Sequence, residues 1–280
     1  STGGQIYFIG NHSGYSSIFR IRYDRHGYRR SRSGQEEREN PSPLLVIEGE
    51  KTDEFEAFHL FQSKLDLSGA GTLAFVTKSG ENDALHLYDT KKEQIAATYH
   101  FKDLVVLGSP SFSPDGRSLV FSAVDNSGNN DLYLWECDRE FLSRLTNDLY
   151  DERDPVWSPA GDAVVFSSDR TPAGVRGKYN LFRYDLRTRD LRYLAFGEES
   201  YTSPSFSPDG RSLLFTSDRG GARNVWMMKL DSLGFAREMR RITQFTTAAF
   251  DPIWADSDLV FVAFEGFTFQ IRTLENLAGV

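Results

Sequence analysis

Short unbroken apolar runs recur along this 280-residue chain, among them Leu119–Phe121 in "SLVFS", Ala163–Phe166 in "AVVFS" and Leu213–Phe215 in "SLLFT". A strand with one face in solvent alternates apolar and polar residues, so a continuous run of this length predicts a strand covered on both faces. After a polar loop, each run is followed by a stretch that does alternate: "DLYLWEC" from Asp131, "NLFRYDL" from Asn180, "NVWMMKL" from Asn224, "ALHLYD" from Ala84 and "SIFRIRYD" from Ser17. The phenylalanine that closes each run measures the period. It falls at Phe75, Phe121, Phe166, Phe215 and Phe261, in steps of 46, 45, 49 and 46 residues. A sixth copy, Phe8 in "GQIYFIG", stands 67 residues before Phe75. Strand-only content repeating at about 45 residues predicts one four-stranded antiparallel blade per repeat, and six copies predict an all-β, six-bladed β-propeller spanning residues 1–280 as a single domain.

The remaining strands follow from the turns. "SFSPDGRSLVFS" (Ser111–Ser122) returns as "SFSPDGRSLLFT" (Ser205–Thr216) and more loosely as "VWSPAGDAVVFS" (Val156–Ser167). Pro114 and Pro208 are preset for the second position of a turn, while Gly116 and Gly210 supply a positive φ, so each phrase closes a hairpin between first and second strands. Pro110, Pro155, Pro204 and Pro252 are expected to begin the innermost strand, where proline is tolerated. A short fourth strand ends in "SRLTND" from Ser143 or "RRITQF" from Arg240. The second copy has "LSGAG" and the sixth "ADSD" in place of Ser-Pro-Asp-Gly. The first blade starts at its second strand and the last stops after its third, so incomplete terminal blades are expected, with closure by an unusual route or by parts of a longer chain. The polar insertion Arg25–Pro43, basic then acidic, reads as a solvated hairpin tip on the Ser-Pro-Asp-Gly face.

The phrase Ser-Pro-Asp-Gly followed by the apolar run, "SDR", a Gly- or Asn-containing loop and "RLT" resembles the TolB-type (PD40, WD40-like) propeller repeat. The resemblance extends from Gly4 to about Leu277. It implies a propeller of the kind found in periplasmic TolB and in the propeller domains of prolyl-oligopeptidase and tricorn-like peptidases. The repeat specifies a fold and leaves activity open, because many functions share it.

Composition narrows the function classes. A net charge of −8 argues against a nucleic-acid backbone as partner. No apolar stretch approaches the roughly 18–20 residues of a membrane helix, and the opening "STGGQIYFIG" lacks the charged and apolar regions of a leader. A soluble mature chain, with any export signal removed, is expected. Cys137 stands alone without a basic neighbour and reads as an inert packing thiol. No Gly-x-Ser-x-Gly elbow occurs, and His12, His26, His59, His86 and His100 form no metal-binding pair. His86 is expected to face solvent or a neighbouring blade. Asp125, Ser127, Asn129, Asp131 and Glu136 have calcium-loop spacing, but Asn130 replaces the required glycine and a strand follows. A plain loop between strands is the better reading. The chain is therefore expected to be no enzyme and to need no cofactor or metal.

The loops of one face are acidic with interleaved aromatics. Tyr150, Asp151, Glu152, Asp154, Glu198, Glu199, Tyr201, Phe250 and Asp251 are the candidate binding residues, with Asp148, Phe245 and the stretch Glu50, Asp53, Glu54, Phe55 and Glu56 beside them. A negative, aromatic channel mouth suits a protein or peptide partner that is basic at the contact. The resemblance adds a bacterial cell envelope location, periplasmic or extracellular. The other expectation is a substrate-gating accessory propeller of an oligopeptidase-type hydrolase.

Overall fold

A computed structural model describes residues 4–12, 14–23, 28–30, 36–38, 42–49, 57–58, 64–170 and 177–277. Six small antiparallel sheets form a ring, a six-bladed β-propeller. In blade 1, β1 (Gly4–His12) pairs with β2 (Tyr15–Tyr23). A small hairpin, β3 (Tyr28–Arg30) with β4 (Glu36–Arg38), lies within the insertion, and β5 (Leu44–Ile47) returns to pair with β2. In blade 2 the inner position is filled in two pieces, β6 (Ala57–Phe58) and β7 (Asp66–Leu67), both paired with β8 (Thr72–Ser79). Outward from it run β9 (Asn82–Asp89) and β10 (Gln94–His100).

Blade 3 is β11 (Leu104–Phe112), β12 (Ser118–Asp125), β13 (Asn130–Glu136) and β14 (Phe141–Arg144). Blade 4 is β15 (Glu152–Trp157), β16 (Ala163–Ser168), β17 (Asn180–Asp185) and β18 (Leu191–Ala195). Blade 5 is β19 (Tyr201–Phe206), β20 (Ser212–Ser217), β21 (Asn224–Leu230) and β22 (Ala236–Arg241). Blade 6 is β23 (Ala248–Ala255), β24 (Asp258–Glu265) and β25 (Thr268–Leu274). Among the described residues the first blade thus begins at its second strand and the last reaches its third, as the repeat predicts.

The apolar runs are buried on both faces because alternate residues feed different interfaces. In β12, Leu119 and Phe121 join Ala74, Leu85 and Trp135 in the core between blades 2 and 3, while Val120 joins Val164, Phe166 and Phe182 between blades 3 and 4. In β20, Leu213 and Phe215 face blade 4, and Leu214 faces blade 6. The closing phenylalanines Phe75, Phe121, Phe166, Phe215 and Phe261 therefore pack toward the preceding blade. Phe75, Phe166 and Phe215 are fully buried and Phe121 nearly so, whereas Phe8 is half-buried against Phe19. Tyr23 of blade 1 reaches blade 6 through a hydrogen bond to Asp258.

The turns carry the chemistry expected of them. The Ser113 hydroxyl donates to Asp115 at 2.6 Å, Gly116 donates to the Ser113 carbonyl at 2.8 Å, and φ at Gly116 is +71°. Ser207, Asp209 and Gly210 repeat this geometry, and Ser68 with Gly71 builds an equivalent turn from "LSGAG". The inner strands differ from the expectation. Pro155, Pro204 and Pro252 lie inside strands that start three or four residues earlier, and Pro110 lies six residues into β11. Each proline sits at a register shift, between Gly108 and Ser111, Arg153 and Val156, Thr202 and Ser205, and Phe250 and Ile253. Proline has no N–H to give to the ladder, and a bulge leaves that position unpaired, so the strand continues across it.

Candidate functional site

In each of blades 3 to 6 the inner-strand bulge holds one residue in an unusual backbone conformation. The residue before each inner-strand proline is left-handed, with φ of 46° at Ser109, 53° at Asp154, 54° at Ser203 and 49° at Asp251. A left-handed, non-glycine residue before proline costs on the order of 1–3 kcal/mol, so its recurrence in four consecutive blades means that the surrounding ladder imposes it. Backbone groups freed by the bulges find side-chain partners. Ser203 N–H donates to Asp154 at 3.2 Å and Asp251 N–H to the Thr216 hydroxyl at 3.2 Å, while beyond the bulge of β11 Phe112 N–H donates to Asp66 of the neighbouring blade at 2.6 Å.

The ring side chains meet one another. Ser109 donates to Asp154 at 3.1 Å, and Ser203 donates to Asp251 at 2.7 Å. Lys64, just before β7, places its ammonium 3.4 Å from Asp154 and 3.4 Å from Asp251. Burial pulls the Lys64 pKa down, but the two carboxylates outweigh it and hold the group above the usual lysine value. Burial pushes Asp154 up, and Lys64 together with the Ser109 and Ser203 donors brings it below the usual carboxylate range.

Away from the channel, the acids of the same face are tied to arginines. Arg153 pairs with Asp151 at 2.6 Å and lies 3.8 Å over the Tyr179 ring, and Tyr179 and Asn130 also donate to Asp151. Burial raises the Asp151 pKa, but these donors bring it below the usual range, while burial and the bond to Asp151 push the Tyr179 hydroxyl up. Arg170 bridges Asp148 and Glu152 and stacks over Tyr150 at 4.7 Å and Phe182 at 5.4 Å. Arg144 pairs with Asp131 and with Asp125, at 3.3 Å in the latter case.

Glu152 is completely buried, accepting from Thr146 and Ser168 at 3.1 Å each. Burial, with the Asp148 charge adding to it and Arg170 only partly offsetting it, raises its pKa to about 8. Oxygens of Asp131, Asp148 and Glu152 lie within 4.8 Å of one another, spacing a hard cation could use. The guanidiniums of Arg144 and Arg170 lie against this cluster, Arg144 on Asp131 and Arg170 on Asp148 and Glu152.

The structure divides the nine candidates. Tyr150 and Glu198 are exposed on loops of the channel-mouth face. Asp151 belongs to the Arg153–Tyr179 clamp, and Asp154 and Asp251 to the Lys64 ring. Glu152 and Tyr201 are corrected to interior positions, because Tyr201 packs against Phe215 at 5.9 Å and gives its hydroxyl to half-buried Glu199. Phe250 is half-buried and meets Phe269 edge-on at 5.9 Å. Phe245 packs edge-on against Phe261 at 5.8 Å. Glu50, Asp53, Glu54, Phe55, Glu56, His26 and His59 lie outside the described residues.

The loop Asp125 to Asn130 is held by Asp125, which accepts from Ser127 and Asn129 N–H at 2.8 and 3.0 Å. Asp131 turns inward to Arg144. His86 is also interior, stacked on Phe75 at 5.1 Å and bonded to Thr77 at 2.8 Å and Thr98 at 3.0 Å. Burial and then His100 lower its pKa to about 4. Burial, with Asp138 adding, raises the Cys137 thiol.

Sequence reasoning missed Lys64, Arg153, Arg170 and Arg144. Lys64 was findable, since placing "LSGAG" on Ser-Pro-Asp-Gly puts it in the column of Ser109, Asp154, Ser203 and Asp251. Exposed apolar side chains were also missed at Leu149, 93% exposed, and at Phe196, 61% exposed. They occupy the two loops flanking blade 4 at the mouth. Phe196 meets Tyr193 at 5.3 Å, and Tyr193 meets Phe182 at 4.3 Å, beneath Arg170.

The fold defines a six-bladed β-propeller whose repeats are similar to the TolB type. Residues 66–175 match the family model described as the TolB beta propeller domain (PD40). The Tol-Pal system protein TolB of Francisella tularensis is 30% identical over 126 residues, covering 45% of this chain and 28% of that protein. A Bacillus subtilis protein named as the uncharacterized peptidase YuxL is 24% identical over 156 residues, covering 42% of this chain and 24% of its own length. The crystal structure of TolB from Acinetobacter baumannii superposes with a TM-score of 0.69 at 20% identity, over 98% of this chain and 61% of that one. The chain thus spans about a quarter of the length of these two curated relatives.

Proposed function

We propose that this chain is a non-catalytic module that holds a protein or peptide partner on the loop face around its channel mouth, in a bacterial envelope system and in the periplasm. The observation that carries the reading is that Leu149, Tyr150 and Phe196 are exposed on the two loops flanking blade 4, with Arg170 stacked over Tyr150. Aromatic and arginine side chains of this kind dominate binding energy at protein interfaces. Exposed Glu198 lies on one of these loops and favours a partner that is basic at the contact. The similarity to TolB supports the envelope location.

The test is capture from a bacterial envelope extract by the wild-type chain and by a Leu149→Ser/Phe196→Ser variant. Both positions are exposed, so the fold is expected to persist. A protein held by the wild type and lost from the variant supports the reading; an identical set of captured proteins with both sinks it.

A second reading rests on the similarity to a protein named as a peptidase: an accessory propeller that gates substrate access to an oligopeptidase-type hydrolase domain. Purification of the natural gene product would separate the two, since peptide hydrolysis travelling with the propeller supports the gate, and its absence sinks it.

A further inference from the structure

We propose that Lys64 is a latch that ties alternate blades together across the ring of inner strands. This inference is independent of the identity of the partner. Lys64 comes from blade 2, Asp154 from blade 4 and Asp251 from blade 6, and the single ammonium lies 3.4 Å from both carboxylates. Blades 3 and 5 join through Ser109 and Ser203, so side chains from five of the six blades meet at one level.

Contacts around a propeller otherwise run between neighbours, through the interblade cores. The Lys64 contacts are different because they cross the ring and skip a blade each way. Left alone, Asp154 and Asp251 would place two carboxylates near each other, joined through Ser203, and like charges held this close repel. The ammonium converts that repulsion into attraction from both sides. The strained backbone at Asp154 and Asp251 is what turns both carboxylates inward to meet it.

Two consequences separate this latch from ordinary packing. Removing the charge should loosen the inner strands at the ring while leaving the outer strands of the blades as they were. It should also loosen blades that Lys64 touches only across the ring, blades 4 and 6, and not only its own.

The experiment is amide hydrogen–deuterium exchange on the wild type, Lys64→Met and Asp251→Asn. Methionine keeps most of the side-chain volume without the charge, and Asp251→Asn removes one arm from the less buried acid. The expected result is exchange at least tenfold faster in β15 and β23 for Lys64→Met, and in β23 for Asp251→Asn, with β13 and β14 unchanged. Equal exchange in wild type and variants, or acceleration spread evenly over β13, β14, β15 and β23, overturns the latch. Should Lys64→Met fail to fold, the same comparison between β23 and β13 in Asp251→Asn decides the matter.

Discussion

Burying a carboxyl group with a second acid beside it and one guanidinium in reach forces it to keep its proton, and Glu152 does so up to about pH 8. The unfolded chain releases that proton near pH 4.3. Between these limits the native state binds more protons than the unfolded state, so Glu152 makes stability decline as pH rises, with its penalty complete above pH 8. Glu152→Gln is expected to flatten the decline and to gain on the order of 4 kcal/mol over wild type at about pH 8.5 relative to pH 5. Urea titrations at several pH values measure it, and an unaltered slope would show that Glu152 is ionised in the native state. His86 acts in the opposite sense. Its folded pKa of about 4 lies below the unfolded value near 6.5, so stability is intact above pH 6.5 and falls as pH drops toward 4. His86→Gln should remove that acid limb. The two effects overlap with opposite slopes between about pH 4.5 and 6.5, so the wild-type curve should be flatter there than that of either variant.

At the scale of the element, the apolar run and the turn are the parts that sequence makes legible. Phe166 packs between blades 3 and 4 with Phe182 at 5.9 Å, and Phe166→Ala is expected to cost about 3–5 kcal/mol in chemical denaturation. Phe8 occupies the equivalent column but is only half-buried, so Phe8→Ala should cost clearly less; equal costs would contradict the packing described. Gly116 lies at φ +71° with Ser68 of the neighbouring turn 3.8 Å from where a Cβ would stand. Space is adequate there, so the roughly 1–2 kcal/mol expected for Gly116→Ala is backbone strain alone. The inner strands were less legible. Proline suggested a strand start, whereas each proline marks a bulge in mid-strand, because the bulge makes its missing N–H harmless.

Across the whole molecule, every buried core among the described residues is shared between two blades, so among these residues no blade has a core of its own to keep once its neighbours open. We expect residues 1–280 to unfold as one cooperative unit. Trp135, Trp157, Trp226 and Trp254 report from blades 3, 4, 5 and 6, and their combined fluorescence should lose native signal at the same denaturant concentration as the strand circular dichroism. Separate midpoints would show that the blades open independently. Reversing the acids at 151, 152 and 154 is a poor probe of binding for the same reason. It would bury a lysine at Glu152 and oppose Lys64 at the channel, so loss of folding is the expected outcome, visible as a collapse of Tm.

The sequence by itself determined the number of blades, the strand order within each, the hairpin turns and the two-sided burial of the second strands. These depend on short-range patterns, such as period, turn chemistry and unbroken apolar runs, that are written contiguously in the chain. It also showed that acids crowd one face. Only the tertiary structure decided what those acids do, because their partners are distant in sequence: Lys64 meets Asp154 and Asp251, Arg170 meets Asp148 and Glu152, and Tyr179 and Asn130 meet Asp151. Whether a carboxylate is a free charge, half of an ion pair or a protonated interior group depends on which cation closure of the ring brings beside it.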